Sequence, residues 1–456
     1  MLKIETLAKQ KTQQLPQTAG FPLVGSLPQL LKQPFKFVTQ AQQQYGDIYK
    51  LDLGLSKVVV LNHPEHAQHV LRDHAANYRK GGPMWDAIRG LLGNGLVVSE
   101  GDFWLRQRRM MQPQFHRQRL TGLTELMIEA ISESLDEWQL AHQPLNITPK
   151  MNRITMNVII KSLFGAGITK QTADETAEAM TYALDYMISS MVTNQLPNWL
   201  PLPGKKKFQQ VLARFDETVY AIIEQCRQEQ EPQSHLLAML LDTVDAETGE
   251  GMTNQQLRDE VATLFLAGYE TTSITLSWAL WYLSQHPHIL GDLRHELDTV
   301  LNGRQPTFTD LPQLQLTKMV LNESMRLQPP AFWLPRTAVE DDEIDGYHIP
   351  AGTNVVSLTY MYHRHPDIWD NPEAFDPYRF APEQVNKRHR FAFVPFGAGQ
   401  RMCIGRDFAL MEGQLALAMI LQRFNIFPVQ GFTAEPQLST TLRPKNGVLL
   451  NITPRS

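Results

Sequence analysis

The residues best suited to chemistry lie in one short segment near residue 400. Phe396, Gly399, Arg401, Cys403 and Gly405 are spaced as F-x-x-G-x-R-x-C-x-G. A cysteine thiolate is an electron-rich axial ligand that helps a haem iron to cleave O–O bonds. Backbone N–H groups of a glycine-rich loop, and a helix that begins just after the cysteine, stabilise such a thiolate. A lone free cysteine is usually a small core residue, but five matched positions favour the ligand interpretation.

A second group of residues that could take part in a reaction lies in a long apolar stretch. It reads Ala267-Gly268-Tyr269-Glu270-Thr271. Glycine inside a helix costs about 1 kcal/mol relative to alanine, so Gly268 needs a reason to be there. Glu270 and Thr271 offer an acid and an alcohol for proton transfer, and Thr271 can donate to the carbonyl one turn earlier. The alternative is an isolated glutamate beside buried hydroxyls with no role.

Two further pairs have helical spacing. Glu323 and Arg326 form E-x-x-R and share one helix face, and Arg379 follows in FDPYRF. Trp104 and Arg108 form W-x-x-x-R on another helix. Each pair alone is commonly an ordinary surface or core feature.

In this order along the chain, the four motifs resemble those of the cytochrome P450 family. The resemblance extends from Leu15 to Pro444 and implies haem b, iron protoporphyrin IX, with Cys403 as its axial thiolate ligand. The absence of C-x-x-C-H indicates a haem that is not covalently attached. Glu270 and Thr271 would then deliver protons during dioxygen activation. Ala267 and Gly268 would line the same site, with Gly268 making room for dioxygen in a locally widened helix.

The resemblance also assigns residues around the cofactor. Those implied to contact the haem propionates are Trp104, Arg108, Arg336 and Arg401. Phe396, Gly399 and Gly405 would shape the surroundings of the sulfur. Glu323, Arg326 and Arg379 would form a structural network that fixes the irregular segment before the cysteine loop.

The elements that must position these residues are mainly helices, with small β-sheets. Thr253 and Gln256 match a capping box and Pro287 gives a stop, so the central helix has about 33 residues and a length of roughly 50 Å. Helical apolar spacing also predicts helices near 64–75, 102–111, 118–138, 148–164, 171–192, 208–229 and 310–327, and from about Cys403 to Phe424. A hairpin is expected over 47–61 and short strands over 334–358. We expect one P450 haem domain over 1–456, with a Pro/Gly-rich N-terminal segment at 1–27 and no reductase domain.

Composition limits the class of protein. The chain has 456 residues, a net charge of −5 and only two cysteines, Cys226 and Cys403, which excludes a disulfide framework and gives no sign of nucleic-acid binding. The N-terminus lacks an apolar run long enough for a signal peptide or anchor, so we expect a cytoplasmic protein. Residues 261–283 are long enough to span a bilayer, but their many hydroxyl groups favour a buried central helix.

The reaction implied is insertion of one oxygen atom of dioxygen into a C–H bond of a lipophilic small molecule, such as a fatty acid, terpenoid or steroid-like compound. Electrons are expected from an external donor, a ferredoxin or flavodoxin with its reductase. The residues expected near the substrate are Met84, Trp85, Ile88, Leu91, Leu92, Leu96, Leu264, Ala267, Phe332, Trp333, Leu334, Ser439, Thr440 and Thr441; several of them can equally be core.

Each of two surface features is open to two interpretations. The basic residues Arg106, Arg109, Arg117, Arg119, Lys387, Arg388 and Arg390 form either ordinary solvated faces or a docking face for an acidic electron carrier. Residues 195–208 form either an ordinary loop or one that touches a membrane surface.

Two rival functions share the scaffold. A peroxygenase or thiolate-haem isomerase would not need the acid–alcohol pair, and Glu270 and Thr271 therefore favour dioxygen activation. A haem-binding sensor without turnover is disfavoured by the same two residues.

Overall fold

Helices dominate the chain, as its apolar spacing predicts. The computed structural model describes residues 14–54, 56–138, 143–165, 204–228 and 235–455, together with 171, 172, 175, 176, 178–183 and 186. The chain forms two compact units. The β unit comprises the described residues of 1–80, 333–372 and 389–402, and the helical unit comprises those of 81–332, 373–388 and 403–456.

The β unit is built on a twisted sheet. Its strands are β1 (Ile48–Asp52), β2 (Lys57–Leu61), β3 (Tyr78–Arg79), β5 (Leu334–Ala338) and β8 (Asn354–Ser357), in the order β1-β2-β8-β5-β3. Only the β2–β8 pair is parallel among these. A separate hairpin consists of β6 (Asp342–Ile344) and β7 (Tyr347–Ile349). The β1–β2 pair confirms the hairpin predicted over 47–61.

Short helices complete the β unit: α1 (Leu27–Lys32), α2 (Pro34–Tyr45), α3 (Pro64–Gln68) and α13 (Thr359–Tyr362). The helix predicted over 64–75 changes character after Gln68, because a π-helical turn covers His69–Asp73. Neither α1 nor α2 was predicted, since their sequence is rich in glutamine and proline and has a weak apolar stripe.

The helical unit contains α4 (Pro83–Leu92), α5 (Gly101–Met111), α6 (Arg117–Asp136), α7 (Thr148–Phe164), α8 (Lys205–Gln228), α9 (Leu236–Leu241), α10 (Asn254–Gln285), α11 (Pro287–Leu301), α12 (Gln315–Leu327), α14 (Pro382–Val385) and α15 (Arg406–Arg423). Its strands are β4 (Leu145–Asn146), β9 (Phe424–Pro428), β10 (Pro436–Leu438), β11 (Leu442–Pro444) and β12 (Leu449–Pro454), which pair as β4-β12-β9 and β10-β11.

The central helix α10 begins where the capping box predicts. Thr253 Oγ1 accepts from the N–H of Gln256 at 3.2 Å, and Gln256 Oε1 accepts from the N–H of Thr253 at 2.7 Å. Pro287 opens the next helix, so α10 has 32 residues. Within the described residues, no helix combines the length and apolar content needed to cross a bilayer. The long apolar run of α10 is instead packed inside the helical unit, against α7, α12 and α15 among others.

Two predicted segments fall partly outside the described residues. The helix expected over 171–192 has described residues only between Gln171 and Tyr186. In the segment 195–208, residues 195–203 lie outside the described part, and Lys205 begins α8.

Candidate functional site

Cys403 lies at the start of α15 in the helical unit. The helix begins at Arg406, with Gly405 as its N-cap. The N–H of Gly405 donates to the cysteine sulfur. Burial raises the pKa of the Cys403 thiol, while the Gly405 N–H and the guanidinium of Arg108 oppose that rise. The side chain is nevertheless accessible, so its sulfur can bind a metal.

Gly405 does not use the conformational freedom of glycine. Its φ is −85°, a value open to any residue. A Cβ built there would lie 4.0 Å from the cysteine sulfur, which is an ordinary contact. The function of this position is therefore carried by its N–H group rather than by a positive φ.

Arg108 and Trp104 share one face of α5. Trp104 is buried and Arg108 is half-buried, with its Nε donating to Gln112 Oε1 at 3.1 Å. Burial lowers the pKa of Arg108, and the negative charge of the Cys403 thiolate counteracts it. The structure thus brings Arg108 within electrostatic range of the sulfur, as the W-x-x-x-R motif implies for a residue near the cofactor.

The remaining predicted cofactor residues lie in the β unit. Gly399 has φ +67°, and a Cβ there would lie 1.9 Å from the carbonyl oxygen of Leu71. No side chain fits at this position, because the backbone of Leu71 lies against it. Arg401 is half-buried at the end of the 3₁₀ turn Gly399–Arg401, and Phe396 is half-buried just before that turn. Arg336 is buried on β5 and donates to the carbonyl of Pro335 at 2.7 Å.

The middle of α10 presents an accessible face in an otherwise buried helix. Ala267 is exposed, and Gly268 and Thr271 are half-buried. Thr271 Oγ1 donates to the carbonyl of Ala267 at 2.8 Å, which confirms the predicted bond to the preceding turn. The helix nevertheless remains α-helical from Asn254 to Gln285, without the local widening implied by the resemblance.

Close packing between two helices explains why residue 268 is a glycine. A Cβ at this position would lie 2.9 Å from Cδ1 and 3.2 Å from Cγ1 of Ile159 on α7. The glycine therefore allows α7 to pack closely on α10. This contact accounts for the cost of a glycine in the helix interior.

Glu270 is held by residues that the sequence did not reveal. It is buried, and its Oε1 accepts from Nε of Arg443 at 2.5 Å and from Oγ1 of Thr441 at 3.1 Å. Both partners flank Leu442, the first residue of β11. A buried carboxylate requires a partner, but a partner 173 positions further along the chain cannot be recognised from local spacing.

The Glu-Arg-Arg network forms as predicted. Glu323 and Arg326 are fully buried and joined by two hydrogen bonds, of 2.7 Å from Nε and 2.8 Å from Nη2. Arg379 Nε reaches Glu323 at 3.2 Å. Arg326 also donates to the carbonyl of Ala374 at 3.0 Å, and the N–H of Asp376 donates to Glu323 at 2.9 Å. The network thereby fixes the irregular segment 374–379.

Two buried carboxyl groups were missed altogether. Burial raises the pKa of Glu260 on α10 to about 8, although the N–H of Leu96 donates to it at 3.0 Å. Burial also raises the pKa of Glu412 on α15 well above its ordinary value, against a hydrogen bond from Thr272. Both glutamates lie on apolar helices, where the sequence pattern predicts buried core residues and gives no sign of a buried carboxyl group.

The residues expected near the substrate are divided between core and accessible positions. Trp85, Leu91, Leu92, Leu96, Leu264 and Phe332 are all buried in the helical unit, and Met84 and Ile88 are half-buried. Ser439, Thr440 and Thr441 are half-buried in the turn between β10 and β11. Trp333 and Leu334 belong to the β unit, where both are half-buried.

Two of the basic residues are engaged in ion pairs. Arg106 pairs with Glu250 at 3.2 Å, and Arg109 pairs with Asp245 at 2.6 Å and with Glu247 at 2.5 Å. Their positive charge is neutralised within the helical unit, which favours the structural interpretation for this part of the predicted docking face.

The H-R-H sequence in the β unit has structural contacts. His363 Nε2 accepts from the N–H of Val394 at 3.0 Å, and His365 Nε2 contacts both carboxylate oxygens of Asp47 at 3.2 Å. His63 lies beside this pair. The N–H of Glu65 faces His63 Nδ1, and that of Asp367 faces His365 Nδ1. With Nδ1 accepting, His365 can donate from Nε2 to Asp47.

Comparisons with known proteins identify the family of this chain. The cytochrome P450 family model matches residues 15–453. Cyclooctatin synthase from Streptomyces melanosporofaciens is 33% identical over 429 residues, which is 93% of each chain. Cyclooctat-9-en-7-ol 5-monooxygenase from the same organism is 34% identical over 413 residues, covering 90% of this chain and 89% of that protein. The crystal structure of the cytochrome P450DA haem domain matches with a TM-score of 0.89 and 28% identity, covering 98% of both chains.

Family membership follows from the match over nearly the whole chain, and it agrees with the accessible thiol at the start of α15 and the acid–alcohol pair on α10. The chain belongs to the cytochrome P450 family and is a haem-thiolate monooxygenase.

Proposed function

We propose that this monooxygenase binds haem b through Cys403 and hydroxylates a lipophilic small molecule with electrons from a separate ferredoxin or flavodoxin. The observation that carries the proposal is the environment of Cys403. Its sulfur is accessible, accepts the N–H of Gly405 and lies within electrostatic range of Arg108. An N–H donor and a nearby cation stabilise a thiolate, the form that binds iron.

The donor set fits a haem. Arg108 would bind a propionate, since a guanidinium suits a carboxylate, and buried Trp104 on the same face would contact the same group. The motif assigns propionate contacts to Arg336 and Arg401 as well. Gly405 would stabilise the sulfur by its N–H, and the motif assigns the surroundings of the sulfur to Phe396 and Gly399 as well.

When bound, the haem supplies the chemistry that reduces dioxygen and transfers one oxygen atom to substrate. The chain contributes proton handling and positioning. The Thr271 hydroxyl donates a hydrogen bond to the Ala267 carbonyl. Its oxygen lone pairs therefore remain available to accept a hydrogen bond from a proton donor at the accessible face of α10. Glu270 is the nearest acid along the helix, and its carboxylate is held by Arg443 and Thr441.

The substrate we propose is an unsaturated cyclic compound of terpenoid type. One relative is named for acting on cyclooctat-9-en-7-ol, an unsaturated alcohol. The half-buried residues Met84 and Ile88, and the exposed Ala267, offer apolar contact area, while Ser439 and Thr441 offer hydroxyl groups. This combination suits a largely apolar molecule that carries few polar atoms.

Turnover under ¹⁸O₂ tests this function. The haem-loaded protein, a surrogate ferredoxin and its reductase would be incubated with a panel of terpenes, terpene alcohols, steroids and fatty acids. We expect a product that carries one ¹⁸O atom, formed fastest from a terpene or terpene alcohol. Labelled product from fatty acids alone would contradict the substrate class. Oxidation only by added hydrogen peroxide would favour the peroxygenase instead.

A further inference from the structure

We propose that Arg443, assisted by Thr441, is a positioning residue for Glu270, so that the C-terminal hairpin β10–β11 controls the proton-handling acid of α10. This inference rests on the proposed function, in which Glu270 and Thr271 handle protons. It adds to that function a residue outside the family motifs described above.

The contact is specific and sheltered. Glu270 has a side chain only 10% exposed, whereas that of Arg443 is 33% exposed. Arg443 Nε and Thr441 Oγ1 both donate to the same oxygen, Oε1. A buried carboxylate without a partner is strongly disfavoured, so these two donors determine where the acid rests.

The hairpin is built to present both donors together. Thr441 immediately precedes β11 and Arg443 lies on it, and both donate to Glu270, while Leu442 between them is buried. Leu442 is fully buried, and its N–H donates to the carbonyl of Pro330 at 3.2 Å. Gln437 pairs with Arg443 across the hairpin, which fixes the register. The anchor at Leu442 therefore holds the two donors in place.

Two consequences follow for proton handling. The two donors hold Oε1 of Glu270 at the hairpin, so they set the position from which the acid serves Thr271. A hairpin displaced by substrate at its turn, Ser439–Thr441, would also displace the donors of Glu270. Substrate binding and proton supply are thereby linked through the two flanking residues of Leu442.

The test compares variants of the haem-loaded enzyme under turnover with its redox partners. Arg443→Gln removes the charge, Thr441→Val removes the second donor, and Glu270→Gln removes the acid. Lys445→Gln is the matched control, because Lys445 pairs with exposed Glu435 at 3.6 Å beside the same hairpin. Three quantities are measured: hydrogen peroxide released per electron pair consumed, the solvent deuterium isotope effect, and hydrogen exchange of residues 436–444.

We expect Glu270→Gln to lower the yield of product per electron pair by roughly tenfold, with the electrons leaving as hydrogen peroxide and the isotope effect rising. Arg443→Gln should lower the yield of product per electron pair by roughly fivefold, with the isotope effect again rising, and should speed hydrogen exchange in residues 436–444. The loss is smaller than for Glu270→Gln because removing one donor changes the reaction barrier only modestly. Thr441→Val should do the same to a smaller extent. Lys445→Gln should match the wild type, and the double variant Arg443→Gln with Glu270→Gln should equal Glu270→Gln alone.

The outcomes separate the two proposals. If Glu270→Gln changes the coupling and isotope effect while Arg443→Gln and Thr441→Val do not, the positioning role is overturned and the proton role of Glu270 stands. If Glu270→Gln itself changes neither, the proton role in the proposed function fails. If Arg443→Gln does not fold, Thr441→Val decides, because it leaves the ion pair intact; wild-type coupling in that variant overturns the positioning role.

Discussion

Arg326 binds both carboxylate oxygens of Glu323, at 2.7 and 2.8 Å, with the two side chains completely excluded from solvent. Burial makes the two side chains interdependent, because each charge loses its closest partner when the other is removed. The pair also supports residues 374–379, through the carbonyl of Ala374 and the N–H of Asp376.

We therefore expect Glu323→Gln and Arg326→Leu each to lower the free energy of unfolding by about 3–5 kcal/mol, because the first removes the charge that two arginines share and the second leaves Glu323 with only the longer contact to Arg379. Urea unfolding monitored by circular dichroism measures the loss. Arg423→Gln serves as the control, since Arg423 forms a more exposed pair with Asp136 at 2.6 Å and should cost at most about 1 kcal/mol. Equal losses in the buried and exposed pairs would refute the role of burial.

Glu260 should make stability depend on pH. Its folded pKa of about 8 lies above the ordinary value of 4.5 because of burial. Between these values the carboxyl is protonated in the folded state and ionised in the unfolded state, so stability is fully present below about pH 4.5 and declines as pH rises towards 8. The slope from this one group is at most about 1.4 kcal/mol per pH unit.

Glu260→Gln removes this slope while keeping an oxygen that can accept from the N–H of Leu96. The difference in unfolding free energy between variant and wild type should thus grow with pH, in favour of the variant, and level off above about pH 8. Chemical denaturation at several pH values measures it. A difference independent of pH would show that Glu260 does not change its protonation on unfolding.

Gly268 should be coupled to Ile159 on α7. Alanine at 268 gains about 1 kcal/mol of helix propensity but places its Cβ 2.9 Å from Cδ1 of Ile159. Ile159→Val removes that Cδ1. We expect Gly268→Ala to be more favourable by about 1 kcal/mol in the Ile159→Val background than in the wild type. A double-mutant cycle of thermal unfolding measures the coupling, and strict additivity would contradict the packing role.

Gly399 should not tolerate a side chain. Alanine there would meet the carbonyl oxygen of Leu71 at 1.9 Å and would require φ +67°. We expect Gly399→Ala to lose at least about 2 kcal/mol of stability and to retain less haem per protein during purification. Gly397→Ala is a useful control, because it has a similar φ of +68° and no atom within 4 Å of the added Cβ. If both variants behave alike, the contact with Leu71 is not what requires Gly399.

Local signals in the sequence predicted those parts of the structure that depend on neighbouring residues. The capping box at Thr253 and Gln256, the Glu323–Arg326 pair and the bond from Thr271 to Ala267 all join residues three or four positions apart. Such spacing determines contact on a helix, whatever the rest of the chain does.

What the sequence did not predict depends on contacts between distant elements. Arg443 reaches Glu270 across 173 positions, and Gly268 is required by a side chain on another helix. Gly405 belongs to a recognised motif, yet its contribution is an N–H bond rather than the positive φ that glycine suggests. The π-turn at His69 likewise leaves no mark in the apolar spacing.

The central claim is that Cys403 is the thiolate ligand of the haem, and the absorption spectrum of the reduced protein with carbon monoxide tests it most directly. Wild-type protein should show the strongly red-shifted Soret band of a thiolate-bound haem. Cys403→His should retain part of its haem without that band and without monooxygenation, whereas Cys226→Ser, on half-buried Cys226, should leave the band intact. A wild-type spectrum that lacks the red-shifted band, or a Cys403→His variant that keeps it, would contradict the account.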